Sequence, residues 1–521
     1  MNKNGLNTDL FLTLRVVGSF LAMVIAFGLN PSISRAADDA ARHIDEHEGP
    51  SRVLVLTDIG NEPDDQMSLV RFLLYSNEMD VEGIVVTTST WQRDTIRQDI
   101  AYDVIEGYAA VEDSLRRHDD KFPTGEHLRK LVLEGQSGYG MSAVGDGKLS
   151  PGAQQILTCL EKDDPRPLWI SVWGGANTLA QALWQLRDTT PPEEVAHRIA
   201  KLRVYSISDQ DDAGPWIRAH FPDLFYIVKP STANSDEYAT ATWTGIAGDR
   251  KFRNGAGADF TTVTNQWLDE HIRSKGPLGE RYPRYHFIME GDTPSFLHLI
   301  RNGLGSYLSP AFGGWGGRYV HRQPYGETSP LWTQGGSSFS FQADSRDTVV
   351  GVDGNTHTSD QATIWRWRRA FQHDFAVRMD WTILPPDAVN HRPEVTVNGV
   401  AGRDVLRLRG RVGETLTLDA TGTTDPDGDA LTFHWFYYRE AGFPEPVRPA
   451  PEALQQALAG DKELWQVLIP GPLVELQDTG ESRVAVKLLS PGEAHVILQV
   501  EDDGELPLTS YRRVILSIAD N

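Results

Sequence analysis

The chain has 521 residues, of which 40% are hydrophobic and 23% are charged, so its composition is globular rather than disordered or membrane-embedded. This length exceeds what one ordinary hydrophobic core supports, and we expect at least two domains. The net charge of −23 argues against nucleic acid as a partner, because phosphate binding needs clustered lysine and arginine. The charge is compatible with cation binding or with neutral ligands such as sugars.

The N-terminus has the features of an export signal. Lys3 and Arg15 precede an apolar run at residues 16–29, and small residues follow it. This order predicts a signal peptide over residues 1–36, with an uncleaved anchor as the alternative. The run is short for a membrane span, and no later stretch is long enough to cross a bilayer. We therefore expect a secreted or periplasmic mature chain without membrane contact, beginning with a polar linker at residues 37–50.

A strand–helix–strand pattern begins after this linker. Residues 53–56 form a continuous apolar run, which is typical of a strand buried on both faces. A helical pattern at 66–76 and a second strand at 81–88 complete a βαβ unit, which implies a parallel sheet. The same pattern predicts further strands at 168–172, 202–207 and 285–289. We expect an α/β domain over residues 51–385, with its chemistry at the carboxyl ends of the strands.

The pattern changes near residue 385. Beyond it, short alternating runs at 394–397, 415–418 and 431–435 are separated by turn sequences such as the one at 425–429. Alternation of this kind over residues 386–521 predicts an all-β, immunoglobulin-like sandwich.

The strongest chemical signal is the segment at residues 57–65. Asp58, Glu62, Asp64 and Asp65 fall within eight positions directly after the first strand. Like charges this close repel one another, so a proton or a cation must compensate. Hard divalent ions prefer carboxylate and carbonyl oxygens, and calcium takes several of them. The alternative is that the aspartates only cap a helix N-terminus.

Two further segments place suitable groups at the ends of predicted strands. Glu290 and Asp292 follow the strand predicted at 285–289. Residues 173–178 follow another strand, and their glycines let backbone carbonyls approach a ligand closely. Because the strand ends of a parallel sheet share one crevice, we expect these segments to meet.

These motifs resemble those of the inosine–uridine nucleoside hydrolases over residues 51–380. The segment from Asp58 to Asp65 is similar to their aspartate-rich N-terminal motif, residues 173–178 to a second strand-end motif, and Asp292 to the late aspartate of their calcium site. The whole layout resembles secreted bacterial proteins described as cellulose-binding, with a nucleoside-hydrolase-like domain and a C-terminal β domain. The segments at 290–296 and 313–319 are typical of that group.

The resemblance implies roles for individual residues. Asp58, Asp65, Asp292 and the backbone carbonyl of Trp173 would ligate Ca²⁺. Asp58 would also take a proton from the attacking water, and Asp64 would accept a hydrogen bond from a sugar hydroxyl. Further substrate contacts are expected from Asn61, Glu62, Glu290, Asn177, Trp91, Trp315 and Tyr319.

The sequence also departs from the nucleoside hydrolase pattern. Asp58 and Asp64 are six positions apart, where the family has four. Gly291 stands where purine-type enzymes often carry a histidine that protonates the leaving base. The ribose-binding segment is not recognisable, and residues 208–212 occupy a comparable strand end. The metal site is compatible with these changes, whereas nucleoside specificity does not follow.

Three functions remain in competition. The first is an exported calcium-dependent hydrolase of N-glycosidic or related glycosyl bonds. The second is a non-catalytic protein that binds a polysaccharide such as cellulose on the same scaffold, and the third is a structural or adhesion protein. A hydrolase requires Asp58, Asp65 and Asp292 to converge. A binding protein favours an exposed aromatic strip, with candidates at residues 435–438 of the β domain.

Overall fold

The computed structural model describes residues 44–231, 240–248, 254–334, 345–444, 471–477 and 480–520. The predicted signal peptide and residues 37–43 of the predicted linker lie outside the described residues. From Asp45 onward the chain forms one unit. Within it, Asp45 accepts two hydrogen bonds of 2.7 Å from Arg203, and Glu46 pairs with Arg407 at 3.2 Å. The last residues of the predicted linker are therefore packed against the protein.

The first domain is built on an eight-stranded sheet. Its strands follow the order β3-β2-β1-β4-β5-β6-β8-β7, and each neighbouring pair is parallel except β7 and β8. The strands are β1 (Ser51–Thr57), β2 (Met79–Val86), β3 (Val132–Glu134), β4 (Leu168–Val172), β5 (Leu202–Ser206), β6 (Phe225–Ile227), β7 (Val320–Arg322) and β8 (Leu331–Thr333). The predicted α/β fold with a mainly parallel sheet is confirmed.

Helices cover both faces of this sheet. They are α1 (Pro63–Leu74), α2 (Gln98–Ala109), α3 (Glu112–His118), α4 (Gly125–Lys130), α5 (Pro151–Glu161), α6 (Asn177–Thr189), α7 (Pro192–Ala200), α8 (Ala213–His220), α9 (Asn265–Leu268), α10 (Gly276–Gly279), α11 (Pro294–Leu297), α12 (Ala362–Trp365) and α13 (Arg368–Asp380). Alternate side chains of β1 enter two hydrophobic cores, Val53 and Val55 on one face and Leu54 and Leu56 on the other. This explains the uninterrupted apolar run at residues 53–56.

The strand predicted at residues 285–289 does not form. His286 and Phe287 are exposed, and only Ile288 and Met289 of this run are buried. The sheet continues instead from β6 to β8, so the segment has no strand to pair with. Glu290 and Asp292 consequently lie on a loop, and the short helix α11 begins directly after them.

The second domain is a β sandwich. One sheet has the order β13-β20-β19-β15, with β16 also paired to β19, and the other has the order β14-β18-β17. A shared core contains Trp435, which is 1% exposed. The strands from residue 347 onward are β9 (Asp347–Val350), β10 (Thr356–Ser359), β11 (Thr396–Val397), β12 (Val400–Ala401), β13 (Leu406–Arg411), β14 (Thr415–Asp419), β15 (Thr432–Tyr437), β16 (Phe443–Pro444), β17 (Val474–Gln477), β18 (Arg483–Leu488), β19 (Gly492–Glu501) and β20 (Thr509–Ala519), of which β9 and β10 form a separate hairpin. The predicted all-β domain is confirmed.

Buried polar contacts join the two domains. Arg392, just before the sandwich, donates to Asp374 of α13, whose other oxygen accepts from Tyr75 at 2.5 Å. Arg513 of β20 donates to the backbone oxygens of Leu304 and Phe312 in the α/β domain. Since buried charges are costly unless they are paired, these contacts fix how the domains meet.

The interdomain ion pair predicts a loss of stability in acid. Burial alone would raise the pKa of Asp374, but the charges of Arg392 and Arg378, with hydrogen bonds from Arg392 and Tyr75, lower it to about 2, against 3.8 for an ordinary aspartate. As the pH falls, the carboxylate of Asp374 therefore takes up its proton in the unfolded state at a higher pH than in the folded state. This pair contributes about 2 kcal/mol above pH 4, and the contribution disappears as the pH falls through about 2.

Urea unfolding of the wild type and of Asp374→Asn, measured from pH 6 down to pH 2.5, checks this prediction. The difference in unfolding free energy between the two proteins should shrink as the pH falls. A difference that stays constant over this range would contradict the assignment of Asp374 as an ionised partner.

Candidate metal centre

Four aspartates from three segments meet at one edge of the parallel sheet. Asp58 directly follows β1, Asp64 and Asp65 lie in the first turn of α1, and Asp292 lies just before α11. Each is at most 4% exposed. One carboxylate oxygen each from Asp64, Asp65 and Asp292 lies within 4.8 Å of the other two. Asp65 and Asp292 therefore converge as predicted, but the third member of the group is Asp64 rather than Asp58, and Asp292 comes from a loop rather than a strand end.

Asp58 and Asp64 differ in detail from their predicted roles. Asp58 is outside the group within 4.8 Å, but its carboxyl group is within hydrogen-bonding reach of Asp65 and Ser89. Asp64, predicted to contact a sugar hydroxyl, is instead a member of that group.

Two glycines make this packing possible. A β-carbon at Gly174 would lie 2.6 Å from an oxygen of Asp58, and one at Gly291 would lie 2.7 Å from an oxygen of Asp64. The Gly291 position is also bounded by the ring of Trp243, 3.1 Å away. A histidine at residue 291, where purine-type nucleoside hydrolases carry their acid, has no room here.

A buried ion pair and buried hydrogen bonds connect the acidic segments. Arg71, on the same helix as Asp64 and Asp65, lies 2.8 Å from a carboxylate oxygen of Glu290, and both side chains are fully buried. Tyr282 donates to the same carboxylate at 2.5 Å. One turn away, the hydroxyl groups of Ser68 and Thr293 are 3.0 Å apart. These contacts fasten α1 to residues 290–293.

Electrostatics favour a bound cation. Burial and the neighbouring carboxylates raise the pKa values of Asp64, Asp65 and Asp292 well above the usual range for aspartate. Burial also raises the pKa of Asp58. Asp64 Oδ1 and Asp292 Oδ2 are buried and have no hydrogen-bond partner among the described residues. Orphaned carboxylate oxygens in one cluster fit the ligand preference of a hard divalent cation such as Ca²⁺.

The carbonyl of Trp173, a further predicted ligand, accepts a hydrogen bond from the side-chain amide of Gln210. A carbonyl oxygen has two lone pairs, so this contact leaves one lone pair for another partner. Gln210 itself is buried, and its backbone oxygen accepts from Thr90 at 2.7 Å. The Trp173 carbonyl as a cation ligand stays a prediction.

Four residues predicted to contact the substrate lie in the interior instead. The carboxylate of Glu290 interacts with Arg71 and Tyr282. The side-chain amide of Asn177 forms hydrogen bonds with Thr87, Thr88 and the backbone of Gly138.

The two aromatic residues are also in the interior. Trp315 is fully buried, and Tyr319 is buried with its hydroxyl group against that of Tyr205. Loop glycines and alternating aromatics suggested exposure, but the segment at 313–319 packs inside the protein. These four side chains are buried in this structure, and their contact with a substrate stays a prediction.

Three other predicted contacts lie at the surface near the cluster. Asn61 is exposed and Glu62 is half-buried, and both lie in the turn between Asp58 and α1. Trp91 is 45% exposed. Its neighbour Gln92 donates to the backbone oxygens of Asp58 at 3.1 Å and of Ile59 at 3.3 Å, which fixes the Trp91 loop beside the acidic turn. These residues are placed where a ligand could reach them.

Two histidines, His298 and His357, carry a side chain that commonly serves as a general acid, but neither belongs to the aspartate group. His298 is buried against Trp169 and Tyr205, and burial lowers its pKa to about 3. His357 pairs with Asp353 next to the β9–β10 hairpin. Both are structural.

Two glutamines near the site have a role that the sequence did not predict. Gln92 and Gln210 fasten loops by hydrogen bonds to backbone carbonyls, and no spacing rule marks a glutamine for that role. Asp211 was noticed only as part of a strand end. It accepts from the backbone of Asn177 at 3.1 Å, and burial raises its pKa to about 7.

Comparison with known families agrees with this geometry. Residues 52–319 match the family described as "Cellulose-binding Sde182, nucleoside hydrolase-like domain", and residues 415–518 match the C-terminal domain of cellulose-binding protein Sde0182. The chain belongs to this family. No curated protein matches it. The predicted resemblance to nucleoside-hydrolase-like proteins with a C-terminal β domain is confirmed.

The chain is also similar to solved structures. A nucleoside hydrolase-related hypothetical protein from Saccharophagus degradans, described as associated with carbohydrate metabolism, is 33% identical. The similarity covers 90% of this chain and 100% of that one, with a TM-score of 0.71. The type III effector XopQ, complexed with adenosine diphosphate ribose, is 14% identical over 68% of this chain and 100% of its own, with a TM-score of 0.31. At that level the likeness carries no argument about function.

The aromatic residues at positions 435–438 do not form an exposed strip. Trp435 and Tyr438 are buried, and Phe436 and Tyr437 are half-buried. The feature that would favour a flat polysaccharide-binding face on β15 is therefore missing from the described residues. Within the same residues, no helix is both long and apolar enough to span a membrane.

Proposed function

We propose that this protein is an exported hydrolase that uses a calcium ion at the aspartate cluster to cleave an N-glycosidic or related glycosyl bond. The observation that carries the proposal is a group of three buried aspartates, Asp64, Asp65 and Asp292, with two carboxylate oxygens that have no hydrogen-bond partner among the described residues and with the buried Asp58 beside Asp65. Burying four carboxylates without a counter-charge is costly, and fixing a cation and a sugar would explain it. Family membership supports a carbohydrate ligand.

A divalent cation in such a site supplies Lewis acidity and lowers the pKa of water. The chain itself provides the other functions. Asp58 lies beside the cluster of Asp64, Asp65 and Asp292 and within reach of Asp65, which suits a base that takes the proton of the attacking water. The surrounding carboxylates would stabilise the positive charge that develops on the sugar ring. The exposed ring of Trp91 offers an apolar face to a sugar or to its leaving group.

A non-catalytic polysaccharide-binding role is the second candidate. It is favoured by the description of the family as cellulose-binding. It is also favoured by the packing at Gly291, which leaves no room for the histidine acid of purine-type nucleoside hydrolases. In that case the cation would hold a sugar-binding surface near Trp91 in place, and no glycosyl bond would be cleaved.

Replacing Asp58 with asparagine tests the first candidate. We expect the wild type to hydrolyse at least one substrate in a set of nucleosides, nitrophenyl glycosides and cello-oligosaccharides, with calcium present and not after chelation. Removing a general base lowers kcat by about 10²–10⁴-fold. Asp113→Asn, an exposed aspartate on α3, is the matched control and should leave kcat unchanged.

The hydrolysis assay, together with a measurement of retention on cellulose, separates the two candidates. Equal turnover by the wild type and Asp58→Asn would contradict the base assignment. Calcium-dependent retention on cellulose without hydrolysis of any substrate would support the binding role instead.

A further inference from the structure

A second cavity lies between the two domains, away from the aspartate cluster. We call it the interdomain cleft, and its volume is about 600 Å³, which is within the range of small-molecule sites. Asp374, Arg378 and Trp381 line one wall, and Asn390, Arg392 and Arg403 line the other.

The interdomain cleft and the aspartate cluster lie at opposite ends of α1. Arg378 donates to the backbone oxygen of Leu74, the last residue of α1, whereas Asp64 and Asp65 are in its first turn. A helix of twelve residues is about 18 Å long, so a ligand in the cleft would not touch the cluster.

The charge of the cleft is opposite to that of the whole chain. Its lining carries five lysine and arginine side chains, Lys121, Arg301, Arg378, Arg392 and Arg403, against the four carboxylates Glu78, Asp119, Asp374 and Glu394. The chain as a whole has 72 acidic and 49 basic residues. An excess of positive charge in a cavity of so acidic a protein attracts anions.

Arg403 is a cation of the cleft without an ion-pair partner among the described residues. Arg378 and Arg392 share the carboxylate of Asp374, and Arg378 also pairs with Glu78. Arg403, in the loop after β12, forms no hydrogen bond or ion pair with any residue that the structure describes. Arg403 is an exposed residue that lines the cleft, so its guanidinium is open to a ligand. Its planar guanidinium is suited to a carboxylate or phosphate.

The cleft is not built for a neutral glucan chain. The ring of Trp381 stacks on His118, with centroids 5.0 Å apart and planes at 6°, and the guanidinium of Arg378 lies 5.0 Å from the same ring. The tryptophan is therefore already in contact on its faces and is a poor platform for a sugar ring. Recognition must rest on charge and on hydrogen bonds. The carboxylates of Glu78, Asp119 and Glu394 offer acceptors for hydroxyl groups.

We propose that the interdomain cleft is a second ligand site for an anionic sugar of monosaccharide or disaccharide size, whose acidic group is bound by Arg403. A ligand with one acidic group and several hydroxyls matches the surplus cation and the remaining acceptors. A sugar acid and a sugar phosphate share this chemistry. Binding would bridge α13 and the loop after β12, and so couple the two domains.

Isothermal titration calorimetry of the whole chain without the predicted signal peptide tests the proposal. The titrants are glucuronate, glucose 6-phosphate, glucose and inorganic phosphate, all with chelator present so that the aspartate cluster carries no cation. We expect glucuronate or glucose 6-phosphate to bind at one site, and the one that binds identifies the acidic group. Glucose should not bind measurably, and inorganic phosphate should bind more weakly than the anionic sugar.

Two arginine variants complete the test. Arg403→Ala should weaken binding of the anionic sugar by about tenfold or more, since a charge-assisted pair is lost. Arg409→Ala, an exposed arginine on β13 outside the cleft, is the control and should not change binding. Absence of binding by both anionic sugars, equal binding by Arg403→Ala, or glucose binding as tight as glucuronate would overturn the proposal. Inorganic phosphate binding as tight as glucose 6-phosphate would overturn its sugar specificity.

Discussion

Glu290→Ala is expected to lower the free energy of unfolding by about 3–5 kcal/mol, the usual cost of leaving a buried charge without its partner. Arg71 and Glu290 are both fully buried, and their charged atoms lie 2.8 Å apart. Without the carboxylate, the guanidinium of Arg71 would keep only neutral acceptors, the amide of Gln372 and the backbone oxygen of Phe371. Glu290 also has a φ of 50°, a left-handed conformation that this pairing sustains.

Urea unfolding of three variants measures this effect. Glu126→Ala is the matched control, because its pair with Lys130 is exposed on both sides and should change the stability little. The double variant Arg71→Met, Glu290→Leu should recover part of the lost stability, since it leaves no unpaired charge. A cost below 1 kcal/mol for Glu290→Ala would show that the pair does not hold the acidic loop in place.

Asp292→Asn is expected to change stability in opposite directions with and without calcium. In the cation-free protein it removes one of four crowded carboxylates, whose repulsion contributes to its raised pKa. We expect the variant to be more stable than the wild type there, on the order of 1–3 kcal/mol. With calcium, the wild type gains binding free energy that the variant lacks, so the order reverses.

Thermal unfolding at pH 7 with chelator, and again with millimolar calcium, measures the stability difference between Asp292→Asn and the wild type under each condition. Asp113→Asn, on the exposed surface of α3, controls for the loss of one negative charge elsewhere. If Asp292→Asn were less stable than the wild type under both conditions, its carboxylate would be structural and no cation would be needed to explain the cluster.

Much of the fold could be predicted because the spacing of apolar residues along the chain indicates which side chains are buried. The apolar run of β1 lies between two cores, and β4 occupies the predicted residues 168–172. The strand expected at 285–289 failed because apolar residues also occur in loops, and pairing with a neighbouring strand cannot be read from one segment. Strand β13 was missed because its apolar residues alternate with arginines.

The acidic cluster could be predicted, but the exposure of the residues around it could not. Four carboxylates crowded at one sheet edge have few explanations, so Asp58, Asp65 and Asp292 were recognisable. Trp315 and Tyr319 were misjudged because a glycine-rich loop can be flexible or tightly packed, and only packing decides. Glu290 shares its segment with Asp292, yet its carboxylate serves Arg71, a partner 219 positions away in the sequence.

A calcium titration followed by thermal unfolding, in the wild type and in Asp65→Ala, tests most directly whether the aspartate cluster holds a cation. A ligand that binds only the folded state adds about 2.7 kcal/mol at 100 times its dissociation constant, which corresponds to a rise of roughly 5–10 °C. We predict that rise in the wild type and in Asp113→Ala, and no rise in Asp65→Ala. An equal rise in Asp65→Ala, or no rise in the wild type, would contradict a calcium site at Asp64, Asp65 and Asp292.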